Sequence, residues 1–258
     1  DGSDVASMYD NFNYNAADGN LASYYTSNYE LVHIANRVLS DMADAEKAGT
    51  TLSAADLQCR GEAYFFRAYI YFNLVRAFGQ VPLITFKITD AAQTNIAKSP
   101  VADIYSLIDA DLAQAEQLLP KQWESRYLGR LTWGAARALH AKTYMQRNNW
   151  ASMLAASTDV INSGVYDLNT PFSKIFRESG ENCSESIFEL QCTSTAALPS
   201  STDIGSQYAE VQGVRGSGSW DFGWGWNTPT TILAGAFETG DPRRDETLLY
   251  IVKPGDDP

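Results

Sequence analysis

One aromatic segment constrains the fold of this chain more than any other part of the sequence. Residues 60–85 read RGEAYFFRAYIYFNLVRAFGQVPLIT, with apolar residues at steps of three and four. That spacing places one broad apolar face on a helix, which ends at Gly79, and Pro82 then forces an extended chain. We therefore predict that most of these rings are core rather than a platform for a ligand. The face comprises Leu57, Tyr64, Phe65, Ala68, Tyr71, Phe72, Val75 and Phe78.

The capping residues around this segment set the limits of several helices. Ser53, with Asp56 three residues later, predicts a capping box at the start of the aromatic helix. Ser99 is predicted to cap a helix that begins at Pro100. Tyr69 and Ile70 lie off the main apolar stripe, which indicates a helix covered on two sides.

Helical periodicity recurs along the first two thirds of the chain. Short helices joined by tight turns, with small alanines at close-approach positions, are typical of tetratricopeptide-type helical hairpins. We therefore predict a mostly α fold, with a helical-repeat scaffold over residues 1–163. The further helical segments are 21–48 before Gly49, 100–119, a helix opened by Thr132, and one from Trp150 to Gly164.

The sequence changes character after Gly164. The runs VYDLN and SIFELQ indicate short extended segments, and the second is predicted as a strand. Residues 213–230, GVRGSGSWDFGWGWNTPT, are rich in glycine and tryptophan and are predicted as a loop. Residues 164–258 are therefore expected to form a loop-rich, partly extended C-terminal part, with a short helix from Thr231 to Thr239.

Charge and cysteine content exclude several classes of function. The net charge of −12 and the isoelectric point near 4.5 disfavour nucleic acid and anionic membranes as partners. The three cysteines, Cys59, Cys183 and Cys192, are predicted to be free thiols, because an extended SIFELQ segment holds the last two too far apart for a disulfide. No metal-ligand spacing is present, so neither a metal nor a cofactor is expected.

Five segments, in order, resemble the SusD/RagB family of outer-membrane lipoproteins. The aromatic segment ending in FGQVPLIT resembles the family signature, and VADIYSLIDADLAQAEQLLP is similar to the helix that follows it. The resemblance continues through GRLTWGAARALHAKTYMQRNNWASMLAASTDVINSGVYDL, ENCSESIFELQ and GWGWNTPTTILAGAFETGDPRRD. It covers nearly the whole chain, and the ordered set is more specific than any one motif.

This resemblance implies a SusD-like domain that captures oligosaccharides and performs no catalysis. The implied partner is a SusC-like TonB-dependent transporter, and the implied location is the cell surface, at the outer membrane. Family precursors start with a signal and a lipidated cysteine, so membrane attachment is expected only through an N-terminal lipid anchor that is not in this chain. Family chains also continue well past DPR, so residues 1–258 are expected to be one incomplete SusD-like domain.

Candidate binding residues are rings that lie in polar loops. Sugars stack their C–H faces on aromatic rings, and their hydroxyls need polar partners. Two loops carry the candidates and a third, at Trp123 and Tyr127, is weaker. The matching GWGWNTPT pattern indicates a structural role for Trp226 and also for Trp224, although Trp224 remains a candidate. The candidates are Trp220, Phe222 and Trp224 with Asp221, and Tyr9, Phe12 and Tyr14 with Asn13.

Other polar groups are interpreted as structural. His33 and His140 are expected to be satisfied helix residues, and Arg243 and Arg244 to fix a turn after Asp241. Four acidic residues are expected on solvated helix faces or at caps: Glu46, Glu62, Asp103 and Asp111.

Three alternative functions stay open at the level of sequence. The nearest is a family member that captures peptides. A helical-repeat module that binds only another protein is a second, although the ring-bearing loops favour a glycan. A glycosidase is the third, and it would need two carboxylates at a set spacing, for which Asp221 and Glu238 are the named pair.

Overall fold

The structure is a computed structural model and describes residues 7–193, 208–216 and 223–248. The chain forms two compact units, residues 1–166 and 167–258. Within the described ranges the protein is helical, and its one β-bridge is an isolated antiparallel pair between Pro82 and Lys98. None of the described helices is both long and apolar enough to cross a membrane.

The first unit is a series of helices in which each packs on the next. Helix α3 (Ala54–Phe78) contacts both α2 (Gly19–Lys47) and α4 (Val101–Leu118), while α5 (Trp133–Gln146) packs on α4 and on α6 (Trp150–Asn162). The mostly α prediction is therefore confirmed. The helices are α1 (Ser7–Asp10), α2 (Gly19–Lys47), α3 (Ala54–Phe78), α4 (Val101–Leu118), α5 (Trp133–Gln146) and α6 (Trp150–Asn162), with 3-10 turns at Ala91–Thr94 and Ser125–Tyr127.

Helix α3 is the centre of the core, as its apolar face predicts. Phe65 and Tyr71 are fully buried, and Ile70 and Leu74, on a different side of the helix, are buried as well. The prediction that α3 is covered on two sides is confirmed by this burial and by its contacts with α2 and α4. Tyr69 itself stays partly exposed, with its ring stacked 6.2 Å from that of Phe65.

The observed helix caps agree with the sequence prediction at α3 and α5 but differ from it at α4. Ser53 and Asp56 form the predicted capping box of α3, and Gly79 ends that helix with a φ of 67° that favours glycine. Thr132 caps α5 as predicted. The prediction for α4 is wrong, because Pro100 is the N-cap residue and no side chain caps the helix. The chain is still extended at Pro100, so the helix starts one residue later.

The prediction that Asp111 lies on a solvated face is also wrong. Asp111 is 2% exposed and accepts two hydrogen bonds of 2.7 Å from Arg67, which is 6% exposed. Arg67 Nη1 also donates to Asn36 Oδ1 at 2.8 Å. The three polar groups satisfy one another where α2, α3 and α4 meet, which lets charged side chains occupy core positions.

The second unit is described by itself and consists of short helices and loops. Helix α7 (Phe172–Ile175) packs on the 3-10 turn Glu178–Gly180 and on α10 (Arg243–Thr247), and the unit also contains α8 (Tyr208–Gln212) and α9 (Thr231–Ala236). Arg243 donates to both carboxylate oxygens of Asp241, which confirms that it fixes the turn.

The predicted SIFELQ strand is absent. Residues 186–191 form no ladder with any other described segment, and a strand requires a hydrogen-bonded neighbour. Instead the carboxylate of Glu189 accepts hydrogen bonds from Asn182 N and Ser186 Oγ, which holds this segment against the preceding turn. All three cysteines are free thiols, as predicted.

Candidate functional site

The first group of candidate rings lies at the start of the described chain, with Tyr9 in α1 and Phe12 and Tyr14 in the loop between α1 and α2. Asp18 caps α2 by accepting hydrogen bonds from Asn20 N and Leu21 N, and the Tyr9 hydroxyl donates to the same carboxylate. This hydroxyl, together with the Leu21 amide, lowers the pKa of Asp18. The carboxylate in turn raises the pKa of Tyr9. The sequence analysis missed Asp18, although an Asp directly before a helical run is a recognisable capping signal.

The rings of this loop form a stacked pair beside an exposed ring. Tyr14 stacks on Tyr9 with centroids 5.5 Å apart and planes at 27°. Phe12 is 84% exposed, and its φ of 53° lies in the left-handed region that bulky residues rarely adopt. Asn13 is exposed beside them. The loop therefore presents ring faces to solvent next to a carboxamide, and we call Tyr9, Phe12, Asn13 and Tyr14 the N-terminal ring cluster.

The second group of candidates is only partly described. Trp220, Asp221 and Phe222 lie outside the described residues. Trp224 is 45% exposed, and Trp226, 48% exposed, packs edge-on against it with centroids 5.4 Å apart. The pair forms a second exposed aromatic surface, which belongs to the second unit.

The backbone of this tryptophan pair is held by α8. Trp224 N donates to Glu210 O at 2.9 Å, and Trp226 N donates to Val211 O at 2.8 Å. A Cβ at Gly223 would lie 2.0 Å from Glu210 O, so this close approach of two backbones requires glycine. The backbone is thus structural, while the two indoles stay accessible.

The third aromatic candidate, at Trp123 and Tyr127, is occupied by protein contacts. Trp123 Nε1 donates to Leu131 O at 2.7 Å, and the Arg130 guanidinium lies 4.1 Å from the centroid of the Trp123 indole. Arg126 lies 4.5 Å from the centroid of the Tyr127 ring. Arg130 also pairs with Glu62 at 2.9 Å. These cation–π contacts cover ring faces that a sugar would need.

The buried histidine belongs to an ion-pair network between α4 and α5. His140 Nδ1 lies 2.7 Å from Glu116 Oε1, and Nε2 lies 3.3 Å from Asp109 Oδ1. Burial opposes protonation of His140, but hydrogen bonds to Asp109 and Glu116 outweigh burial and raise its pKa. The expectation of a satisfied structural histidine holds only at Nδ1, which is hydrogen-bonded to Glu116, because the buried Nε2 has no well-aligned hydrogen-bond partner. Within the described ranges no group of three or more His, Cys, Asp and Glu side chains is placed to hold a metal ion.

Comparison with known proteins decides the family. Residues 2–145 match the model of the SusD-like family, described as "Starch-binding associating with outer membrane", and this match covers more than half of the 258 residues. The chain belongs to the SusD-like family. The resemblance in the five sequence segments is thereby confirmed.

Relatives of this SusD-like chain share its sequence and its fold. SusD-like protein P2 of Formosa agariphila is 28% identical over 246 residues, which are 92% of this chain and 47% of that protein. A SusD-like protein of Bacteroides fragilis has a TM-score of 0.74 at 26% identity, over 88% of this chain and 43% of that one. The chain thus spans less than half the length of either relative.

A second solved structure has a similar fold. It is named a laminarin-binding SusD-like protein and has a TM-score of 0.79 at 24% identity, over 95% of this chain and 56% of that one. At this identity the likeness establishes the common fold of the two chains.

Proposed function

We propose that this SusD-like chain belongs to a cell-surface protein that captures neutral oligosaccharides without catalysis. One observation carries the proposal: the stacked Tyr9–Tyr14 pair and the exposed Phe12 present ring faces beside Asn13. Such faces suit the C–H surfaces of sugars, while the carboxamide can exchange hydrogen bonds with their hydroxyls. Within the second unit, Trp220, Asp221, Phe222 and Trp224 are proposed separately as ligand-contacting residues.

The family and its members support this ligand class. The family model is described as starch-binding, one structural neighbour is named as laminarin-binding, and another was solved with a xylogluco-oligosaccharide. The net charge of −12 favours neutral glycans over sulfated or uronic ones. We further propose that residues 1–163 form the scaffold of one SusD-like domain and that residues 164–258 contribute to its ligand side.

The role in uptake is inferred from the family. Its description includes association with the outer membrane. We propose that the whole protein is lipid-anchored at the cell surface and passes its ligand to a SusC-like TonB-dependent transporter. No bond is made or broken in this role, so no catalytic residues are assigned.

Calorimetry against a panel of neutral oligosaccharides tests the proposal. Heat from one glycan, with Tyr14→Ala and Phe12→Ala each weakening its affinity roughly tenfold, would support it, since a lost ring contact is worth about 1.4 kcal/mol. Trp220→Ala and Trp224→Ala test the other loop in the same way. Trp150→Ala is a matched control, because this 56% exposed indole on α6 is outside the proposed site.

Calorimetry with the same glycans and with oligopeptides separates the alternatives. Binding heat from oligopeptides, with none from any glycan, would favour a peptide-capturing member of the family. Absence of binding heat from both glycans and oligopeptides would favour a module that binds only protein. Hydrolysis of a bound glycan would contradict the non-catalytic proposal and would direct attention to Asp221 and Glu238.

A further inference from the structure

A cavity of about 360 Å³ opens between α2 and the crossover segment of residues 80–98, which joins α3 to α4. Tyr25, Tyr29 and His33 line it from α2, and Ile84, Ile88 and Thr94 line it from the crossover segment. Its volume falls within the range of pockets that hold small molecules. The cavity lies within the first unit and contains no residue of the N-terminal ring cluster.

Both walls of the cavity are held in place by hydrogen bonds. Tyr29 Oη donates to Pro82 O at 2.6 Å, and Asn36 Nδ2 donates to Ile84 O at 2.8 Å. Lys87 on the crossover segment pairs with Asp41 on α2 at 2.8 Å. The crossover segment is therefore fixed to the helix along its length, and the space between them is preformed. A preformed cavity lowers the entropic cost of binding a small ligand, because the protein side is already ordered.

The wall on α2 is aromatic. Tyr25, Tyr29 and His33 follow one another at steps of four residues, so their rings lie in a row on one helix face. The rings of Tyr25 and Tyr29 are 4.8 Å apart, and Tyr25 is fixed from behind by the edge-on ring of Phe78 at 5.2 Å. Flat, fixed ring surfaces of this kind favour a planar aromatic ligand.

Most side-chain polar groups that line the cavity already have partners in the protein, including Thr94 Oγ1, which donates to Ala91 O at 2.7 Å. The hydroxyl of Tyr29 donates to the crossover segment, and both ends of the Asn36 carboxamide are bonded, to Ile84 and to Arg67. In the described part of the chain no group hydrogen-bonds to the His33 imidazole. A sugar ring enclosed here would leave most of its hydroxyls without partners, which is unfavourable.

Charge further narrows the ligand class. Glu30 lines a neighbouring cavity that shares Tyr25, Tyr29 and His33 with this one. The chain as a whole carries a net charge of −12. A carboxylate or phosphate ligand would approach against this field, whereas a neutral ligand would not.

We propose that this cavity is a binding site for a small neutral aromatic molecule that carries one hydroxyl, a phenol. Its ring lies between the tyrosines and Ile88, and its hydroxyl hydrogen-bonds to His33. The site is separate from the proposed oligosaccharide site, so either proposal can fail without the other.

Calorimetry with p-cresol and toluene tests the proposal. We expect saturable one-to-one binding of p-cresol by the wild-type chain, about fivefold tighter than that of toluene, because one hydrogen bond is gained. His33→Phe keeps a ring at the wall but removes the partner, so it should bind both compounds alike. Absence of saturable binding of p-cresol would overturn the proposal, and an unchanged preference in His33→Phe would overturn the role of His33.

Variants that fill the cavity locate the site. Thr94→Trp places an indole in the cavity and should weaken p-cresol binding more than tenfold, and Ile88→Trp should do the same from a second position. Ala91→Trp is the matched control, because Ala91 lies in the same 3-10 turn but does not line the cavity. Unchanged binding in Thr94→Trp and Ile88→Trp, both shown to be folded by circular dichroism, would contradict the assignment. Equal loss in Ala91→Trp would contradict it as well.

Discussion

Arg67 on α3 and Asp111 on α4 form a doubly hydrogen-bonded ion pair in the core, with both contacts at 2.7 Å. Their side chains are 7% and 3% exposed. Asn36 on α2 accepts a third hydrogen bond from the same guanidinium. One residue from each of three successive helices is thus bonded at a single point, which fixes the relative position of the three helices.

Removing one partner of this ion pair should strongly destabilise the fold. Asp111→Asn leaves the Arg67 charge buried without its counterion, and we expect the free energy of unfolding to fall by about 3–5 kcal/mol in urea titrations. The double variant Arg67→Met/Asp111→Leu should recover most of that loss, because it leaves no buried charge.

An exposed ion pair gives the matched control. Asp44 pairs with Lys47 at 3.0 Å, and both side chains are more than two thirds exposed. Asp44→Asn should change the free energy of unfolding by less than about 1 kcal/mol. Equal effects of Asp111→Asn and Asp44→Asn would show that the buried pair has no special part in stability.

The burial of Asp111 could not be predicted from local sequence. Periodicity identified the helices and the ring-lined face of α3 because those depend on neighbouring residues. A charged residue within a helix is ordinarily read as solvated, and only the approach of Arg67, 44 residues away in sequence, reverses that reading. The SIFELQ strand is wrong for a related reason, since strand formation depends on a partner that local sequence does not specify.

Gly134 marks a close approach between the start of α5 and Tyr166. A Cβ at Gly134 would lie 2.2 Å from the Tyr166 hydroxyl, which is itself hydrogen-bonded to Thr132 Oγ1 at 2.9 Å. Gly134→Ala should therefore lower the free energy of unfolding by about 1–3 kcal/mol, through overpacking. Gly19→Ala, in the first turn of α2 with no atom within 4 Å of its Cβ, should be neutral or slightly stabilising. Urea titration of both variants checks the contrast, and a tolerated Gly134→Ala would show that Tyr166 moves freely.

His140 should make stability depend on pH. Its pKa in the folded chain is raised above the unfolded value of about 6.5, because Asp109 and Glu116 favour the imidazolium. The stabilisation is therefore complete below about pH 6.5 and is lost as the pH rises through the folded pKa. The stability difference between wild type and His140→Gln should be larger at about pH 6 than at about pH 8.5.

The charged neighbours of His140 set the pH window of this effect. Charged groups around His140 include Arg147, bonded to Asp109 at 2.7 Å, and Arg137, 3.3 Å from Glu116. Asp109 itself has a lowered pKa, so its own contribution is lost only under acidic conditions, outside this window. Parallel profiles for wild type and His140→Gln would refute the assignment.

The candidate site could be read from sequence only as a set of residue types. The sequence predicted that Tyr9, Phe12 and Tyr14 lie in a polar loop. Phe12 and Tyr14 are indeed exposed in a loop, whereas Tyr9 lies in α1. The stacking of Tyr9 on Tyr14 and the bond from Tyr9 to Asp18 depend on the path of the loop backbone, including the left-handed Phe12. Local sequence does not encode that path, so the geometry of the cluster needed the structure.

The Tyr9 hydroxyl links the N-terminal ring cluster to the start of α2. Because this hydroxyl is the largest influence that lowers the pKa of Asp18, Tyr9→Phe should raise that pKa toward the ordinary value of about 3.9, as followed by carboxyl NMR titration. The ring remains, so the stack on Tyr14 should persist. Affinity for the proposed glycan ligand should then fall only a few-fold, against roughly tenfold for Tyr14→Ala.

Tyr14→Phe is the matched control for this link. It removes the other hydroxyl of the stacked pair and should leave the pKa of Asp18 unchanged. If Tyr9→Phe also left that pKa unchanged, the hydroxyl would not hold the capping carboxylate. A Tyr9→Phe variant that lost affinity as fully as Tyr14→Ala would instead mean that the hydroxyl, through Asp18, positions the whole cluster. In that case the cap of α2 would be part of the binding site rather than only the end of a helix.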